Sequence, residues 1–257
     1  MMKISVITVS LNSVNTIGAT IQSVINQNYN NLEYIVIDGG STDGTVDIIK
    51  KYQDKINYWV SEKDQGISDA FNKGIRHSTG ELICIINSDD ILFPNVLNII
   101  AEQIKEDTDI IYGNLALYRK ELKIEKIHLS RDNLDFSKGN FYGLTHPATL
   151  IRKRTYEQYG LYDVALKFVM DKELFLRMYN NSAKFQRINL TIARYATGGA
   201  SGSQNYHKVA IESRKVSVKY GMPSMRATSK MIRNISQIYC VEIIQKIKRL
   251  FKIKVCY

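Results

Sequence analysis

From Ile4 to Tyr112 the chain alternates short, nearly continuous apolar runs with stretches in which apolar residues recur every three or four positions. Ile4 to Val9 predicts a first strand. Thr16 to Gln27, with Ile17, Ile21, Val24 and Ile25 along one side, predicts a helix with one buried face. Leu32 to Ile37 is expected to be the second strand, followed by a helix over Val46 to Tyr52 that Thr42, Asp43 and Gly44 open. The rhythm continues with a short strand at Asn57 to Val60, a helix at Ser68 to His77, a strand at Leu82 to Ile86, a helix at Asn95 to Lys105 after Pro94, and a strand at Asp109 to Tyr112. Such alternation predicts a largely parallel sheet with helices on both faces. Past it, Leu115 to Leu129 alternates like a hairpin or meander, and Leu174 to Tyr179 and Tyr206 to Val218 read as helical.

In open parallel sheets, ligands bind beyond the carboxyl ends of the strands, so the residues just past each strand carry the chemistry. The first strand ends in Thr8, Ser10 and Asn12, the second in Asp38-Gly39-Gly40-Ser41-Thr42-Asp43-Gly44, and the strand at 82 in Asn87-Ser88-Asp89-Asp90. All three polar clusters are therefore expected on one rim. Adjacent carboxylates at the mouth of an apolar strand repel one another and add nothing to a core, which points to a hard cation beside Asp89 and Asp90. Glycines after Asp38 let backbone N–H groups approach an anion or a sugar hydroxyl closely. Asp43, directly before a helix, reads as a cap residue.

Length and composition add bounds. A chain of 257 residues fits one sizeable α/β domain with a short appendage. Its three cysteines show no paired spacing, and Cys84 lies inside an apolar strand, so a reducing, cytoplasmic compartment and no zinc site are expected. The first residues alternate like a strand and lack a signal-peptide pattern, and no apolar run approaches the ~18 residues of a membrane span. The formal net charge of +10 is concentrated at one end: from Lys219 onward nine basic residues face the single acid Glu242. A nearly neutral body argues against nucleic acid as a partner. In the tail Met231, Ile235, Ile238, Val241, Ile244, Ile247 and Phe251 recur at near-helical spacing. That stripe suits a helix lying on an anionic membrane surface, or one packed on its own domain or on a twin subunit.

Several ordered motifs carry a resemblance. They are Val36-Ile37-Asp38-Gly39-Gly40-Ser41-Thr42-Asp43-Gly44-Thr45, Glu62-Lys63-Asp64-Gln65-Gly66-Ile67-Ser68-Asp69-Ala70-Phe71-Asn72-Lys73-Gly74, Gly80-Glu81 before Asp89-Asp90, Gly143-Leu144-Thr145-His146-Pro147-Ala148, Gly160-Leu161-Tyr162-Asp163, and Met170-Asp171-Lys172-Glu173-Leu174-Phe175-Leu176-Arg177. Together, and ending near Gly198-Gly199-Ala200-Ser201, this set resembles the inverting family-two glycosyltransferases of bacterial polysaccharide assembly, in particular the colanic-acid-type branch. The resemblance covers roughly the first four-fifths of the chain. It implies an α/β fold of GT-A type, with a Rossmann-like, mostly parallel central sheet flanked by helices and a C-terminal basic helical tail. Residues 1–220 would form the transferase domain, with 1–113 as the nucleotide-sugar half and 114–220 as the acceptor half, and residues 221–257 the amphipathic tail.

The resemblance also implies a reaction. A sugar would pass from a nucleotide-diphosphate donor, a UDP-sugar, to a hydroxyl of a lipid-linked saccharide acceptor, with Mn2+ or Mg2+ against the departing diphosphate. Asp90 matches the metal ligand, Asp89 faces the ribose or donor sugar, and Thr8, Asn12 and Asp38 surround the nucleoside. Asp64, with Asp69 and Asn72, lines or braces the donor side, Asn72 being the more structural of them. Asp171 matches the catalytic base, with capping of the adjoining helix as its structural alternative. Many relatives carry a second acid where this chain has Gly39, which leaves the nucleotide base open. For His146, contact with acceptor or phosphate and a purely structural hydrogen bond are both open, whereas His77, His128 and His207 lack ligand spacing.

The implied location is cytoplasmic, peripheral to the inner-membrane surface through the basic tail. Oligomeric state has no signature in the chain. Two other functions share parts of the pattern. A sugar nucleotidyltransferase would continue from its first strand into a basic glycine-rich loop, which Ser10-Leu11-Asn12-Ser13-Val14 is not. A non-catalytic binder of anionic membranes or polymers would have no use for an acid-lined rim.

Overall fold

The computed structural model describes residues 1–119, 124–141, 143–196 and 205–250. Its strands are β1 (Ile4–Ser10), β2 (Leu32–Asp38), β3 (Tyr58–Ser61), β4 (Leu82–Asn87), β5 (Ile91–Leu92), β6 (Ile110–Arg119), β7 (Ile124–His128), β8 (Thr149–Arg152) and β9 (Phe185–Ala196). The helices are α1 (Ile17–Ile25), α2 (Thr45–Lys51), α3 (Ile67–His77), α4 (Val96–Gln103), α5 (Lys153–Tyr159), α6 (Met170–Asn180), α7 (Tyr206–Lys219) and α8 (Ser224–Leu250). The strands form one sheet in the order β3-β2-β1-β4-β8-β6-β9-β5, with β7 on β6.

The first half conforms closely to the apolar pattern. β3, β2, β1 and β4 are mutually parallel, and all seven residues of β1 are buried. Strands covered on both faces read as continuous apolar runs rather than alternating ones, which is why these four are plain in the sequence. Successive residues feed two different cores. Ile4, Val6, Tyr34, Val36, Leu82 and Cys84 meet Ile17, Ile21 and Val24 of α1, Ile49 of α2 and Leu97 of α4 on one side of the sheet. Ile7, Val9, Ile35, Ile37, Ile83 and Ile85 meet Phe71 and Ile75 of α3, Tyr156 of α5 and Leu174 and Phe175 of α6 on the other.

At the amino ends of these strands, buried Glu33 ties the edge together. Burial would raise its carboxyl, but hydrogen bonds from Ser5, from both the amide and the hydroxyl of Thr79, and from Lys3 prevail and pull it down to about 2.

Beyond β4 the sheet becomes mixed. β8 runs antiparallel to both β4 and β6, β9 is parallel to β6, and β5 is antiparallel to β9. The strand expected at Asp109 to Tyr112 and the first arm of the expected hairpin are one strand, β6, so the sheet is continuous through residue 113. β6 and β7 pair antiparallel, with residues 120–123 outside the described part. A register shift in the β6–β9 ladder falls at Gly113, where a Cβ would lie 2.4 Å from the Leu190 carbonyl oxygen; only glycine permits that approach.

The tail forms α8, which packs on α7 with Met222 and Ala227 buried. Met231 and Ile235 of the expected stripe are half-buried. The side chains of Ile238, Val241, Ile244 and Ile247, and the whole of Phe251, lie outside the described part, as does the motif around Gly198. A second apolar set, Met225, Ile232 and Tyr239, projects outward with exposures of 87%, 58% and 48%. Among the described residues no helix is long and apolar enough to cross a membrane.

Candidate active site

Strand register brings the three polar loops to one rim. Ser10 lies opposite Asp38, Asp38 opposite Ser61, and Val9 opposite Asn87. Hydrogen bonds then knit the loops. The Asn12 amide donates to Ser41 Oγ at 2.7 Å, the Thr42 amide donates to Asn12 Oδ1 at 3.0 Å, and Ser88 Oγ donates to Ser13 Oγ at 2.7 Å. Asn12, Asp38, Asp64, Asp89 and Asp90 therefore gather at the carboxyl ends of parallel strands, where an open α/β sheet takes its ligands.

Within this rim the carboxylates have different states. Asp38 is fully buried and accepts from Ser10 Oγ (2.8 Å), Ser41 Oγ (2.5 Å), the Ser41 amide (2.8 Å), Ser61 Oγ (2.7 Å) and the Gly40 amide (3.2 Å). Burial opposes its charge, but this set of donors outweighs it and lowers its pKa. Its visible work is to shape the glycine loop. Thr8 is also fully buried, and its hydroxyl is paired with Tyr34 Oη at 3.0 Å; the side chain expected beside the nucleoside is thus turned into the core, two residues below Ser10 on the same face of β1. Asp43 is a loop-to-helix residue, accepting from the amides of Val14 and Thr45 and from Thr45 Oγ1.

Gly39 gains a structural meaning. A Cβ there would lie 2.5 Å from Asp64 Oδ2 and 3.5 Å from Leu11 Cδ1. Asp64, whose Oδ1 accepts the Gly66 amide at 2.9 Å, leans over the space that a side chain at position 39 would fill.

Asp89 and Asp90 have the opposite environment to Asp38. Asp90 is fully buried; its Oδ1 accepts the Ala196 amide at 3.3 Å and its Oδ2 accepts Asn87 Nδ2 at 3.2 Å. Burial first, and the neighbouring charge of Asp89 second, push its carboxyl up to about 8. Asp89 is half-buried and is also raised by burial. No ion pair to either is seen among the described residues. Asn87 Oδ1, beside them, is buried without a hydrogen-bond partner.

Two unneutralised acids and an orphaned oxygen are a donor set suited to a hard divalent ion. No group of three or more His, Cys, Asp or Glu able to hold a metal is found among the described residues. Asp90 would be the residue to hold such an ion, with Asp89 and the free oxygen of Asn87 beside it.

Asp171 enters from the other half of the chain. It lies inside the first turn of α6, after Val169 at the cap position, rather than before the helix. Its Oδ1 accepts the Lys172 amide at 2.7 Å, and burial, the larger influence, raises its pKa. Two contacts from α3 place this half against the rim. Asn72 makes paired hydrogen bonds with the backbone of Tyr162 (2.8 and 2.9 Å), and Ser68 Oγ donates to the Leu166 carbonyl at 2.9 Å. Asn72 is therefore a brace.

Burial, then Tyr156, then the charge of Asp171 all raise the Tyr162 hydroxyl, so Asp171 is within electrostatic reach of that ring. His146 Nε2 meets Tyr162 Oη at 3.2 Å, and the imidazole stacks on Phe71 at 5.1 Å. Burial lowers its pKa to about 4, which makes it a neutral structural ring rather than a phosphate-binding cation. His77 stacks on Tyr58, and His207 pairs with the Tyr239 hydroxyl.

Sequence reasoning did not single out Tyr162 or Glu212 as individual residues. Glu212 of α7 accepts three backbone N–H groups just ahead of α6, and no local pattern announces such a long-range contact. Two cavities, of about 240 and 300 Å³, lie between α1 and β5 and between α7 and α8, and none of the rim carboxylates lines either.

Sheet order and rim define an open α/β protein whose carboxyl-end edge carries the polar loops that follow β1 to β4. The family model for glycosyl transferase family 2 matches residues 5–160, more than half of the chain, and the chain belongs to that family. It is 29% identical over 192 residues to an uncharacterized glycosyltransferase of Rickettsia typhi, covering 71% of this chain and 60% of the relative. The chain thus spans about three-fifths of that relative's length. Its fold is similar to that of S. aureus TarS 1-349 in complex with UDP-GlcNAc, with a TM-score of 0.67 and 18% identity over 91% of this chain and 72% of that one. A mannosyltransferase from Pyrobaculum calidifontis in complex with GDP-Man and Mn2+ gives 0.65 and 15% identity over 92% and 70% of the two chains. The α/β architecture expected from the sequence holds, with the parallel core where it was placed.

Proposed function

We propose that this protein is a metal-dependent, inverting glycosyltransferase that moves a sugar from a nucleotide-diphosphate donor, a UDP-sugar, to a hydroxyl of a lipid-linked saccharide in bacterial surface-polysaccharide assembly. The observation that carries the reading is the unneutralised Asp89–Asp90 pair at the end of β4, on the same rim as the Asn12, Asp38 and Asp64 loops. Similar folds bound to UDP-GlcNAc, and to GDP-Man with Mn2+, support a nucleotide-sugar donor.

In this reading Asp90 would hold a divalent ion, which when bound would neutralise charge on the leaving diphosphate. Asp38 shapes the glycine loop against the nucleoside, Asn12 and Asp64 border it, and Asp89 faces the ribose or donor sugar. Asp171 accepts the acceptor hydroxyl's proton as that oxygen bonds to the anomeric carbon. The bond from that carbon to the diphosphate breaks on the far side, releasing nucleoside diphosphate and inverting the centre. A raised pKa suits Asp171 to this task, because a base that holds a proton more firmly takes it more readily.

A thermal-shift screen of UDP- and GDP-sugars with and without Mn2+ tests the donor reading. At about 100-fold excess over Kd, the right donor with metal should raise Tm by about 5–10 °C. No shift with any sugar nucleotide, metal present or absent, rejects it.

The acceptor and the location at the inner-membrane surface rest on α8. Outward-facing Met225 and Ile232 have exposed Arg226 and Arg233 beside them, the mix that binds anionic lipid. Reversing both charges, Arg226→Glu with Arg233→Glu, should weaken co-sedimentation with anionic vesicles by at least about tenfold. Unaltered binding would assign α8 to packing alone.

A further inference from the structure

The first turn of α6 has no side-chain cap of its own, since its cap residue is Val169. Its entry is held from a distance. Glu212, on α7, accepts the Lys167 amide through Oε1 at 3.0 Å and the Phe168 and Val169 amides through Oε2 at 2.7 and 2.9 Å. Three consecutive backbone donors thus converge on one carboxylate, which fixes the path of the chain two residues before Asp171.

On the other side of Asp171 the next two residues of the helix continue the grip. Lys172 Nζ donates to the carbonyl and hydroxyl of Ser213 and to Ser217 Oγ, at 3.0, 2.9 and 2.6 Å. Glu173 Oε1 accepts from Lys219 Nζ at 2.8 Å and from Tyr220 Oη at 2.6 Å. Asp171 itself is half-buried and accepts the Lys172 amide, while residues on both sides of it are bound to α7 and its end. The Lys172 ammonium held by α7 lowers the Asp171 carboxyl, but burial outweighs it, so the carboxylate keeps a raised pKa.

We propose that Glu212 is a positioning residue for Asp171: by holding the 167–169 backbone, it aims the base at the acceptor hydroxyl. The inference rests on the reading of Asp171 as the base. Misplacing a reacting group by about 1 Å can cost on the order of 100-fold in rate, so losing this grip should be felt in turnover rather than in donor binding.

The test compares wild type, Glu212→Ala and Glu212→Gln in the full chain. Amide hydrogen exchange reads the grip itself. In Glu212→Ala, the amides of 167–169 and the first turn of α6 should exchange at least about tenfold faster, with β1, β2 and β4 unchanged. Unchanged exchange at 167–169 overturns the proposal without reference to any substrate. UDP release from UDP-GlcNAc or another responsive UDP-sugar, measured with Mn2+, reads the consequence. Glu212→Ala should lose about 10- to 100-fold in kcat while the Kd for UDP stays the same, and Glu212→Gln, whose oxygen can keep the Phe168 and Val169 amides while its NH2 meets the Lys167 amide, should recover part of the loss. Faster exchange with unchanged kcat, or equal losses in kcat and UDP affinity, also overturns it. If wild type neither binds UDP nor releases it from any sugar nucleotide, the donor reading fails instead, and the exchange experiment still decides the grip.

Discussion

Asp171→Asn is expected to lower kcat by about 100- to 10,000-fold and to leave the affinity for UDP and Mn2+ unchanged. The amide is nearly isosteric and its oxygen can still accept the Lys172 amide, now 2.7 Å from Oδ1, so the first turn of α6 should keep its geometry. What is lost is the lone pair that accepts a proton. Because burial raises Asp171, wild-type kcat/KM should fall on the acid side at a pH above the ordinary aspartate range, and that limb should vanish in the variant. A pH–rate profile with an unchanged kcat would remove Asp171 as the base.

The second large effect concerns Asp90, and it has opposite signs for activity and stability. Asp90→Asn should abolish the Mn2+-dependent rise in Tm with a sugar nucleotide, along with transfer, since the amide cannot bring negative charge to an ion. Without metal, the same variant should be more stable than wild type. The folded carboxyl, raised from 3.8 to about 8, keeps a proton that the unfolded chain gives up. Wild-type stability from this group is therefore complete below about pH 4 and is lost as pH rises to about 8.

The full shift corresponds to roughly 6 kcal/mol, of which relaxation of the site should leave on the order of 3. For a domain of this size that is about 5–10 °C in Tm at pH 8, shrinking toward zero near pH 4. Equal melting of the two proteins at pH 5 and pH 8, with the Mn2+ response retained, would refute both halves of the argument.

These two residues differ in how they could be found. Asp90 comes just after a five-residue apolar run and stands beside another acid, a conflict visible within nine positions of sequence. Asp171 shows no such conflict: an acid near a helix start is ordinary, and only its resemblance to a known motif separates it from a cap. The structure places it inside the first turn of α6, where its Oδ1 accepts the Lys172 amide. The structure also revised the rim. Thr8 belongs to the core with Tyr34, Asp38 is saturated by its own loops, and Asp64 occupies the space opened by Gly39.

Strands β1 to β4, helices α1 to α4 and the convergence of their polar loops were written in local pattern. A parallel strand buried on both faces needs an unbroken apolar run, and connections between parallel strands place successive loops on one edge whatever the details of packing. By contrast, β8 and β9 acquire their places through partners far along the chain, and β8 enters between β4 and β6 with only four residues. The enclosure of Asp90 under Ala196, the bracing of α3 on Tyr162 and the hold of Glu212 on the approach to α6 belong to this second class. Each joins side chain and backbone across dozens of residues, where periodicity carries no signal and only the packed fold decides which polar groups meet.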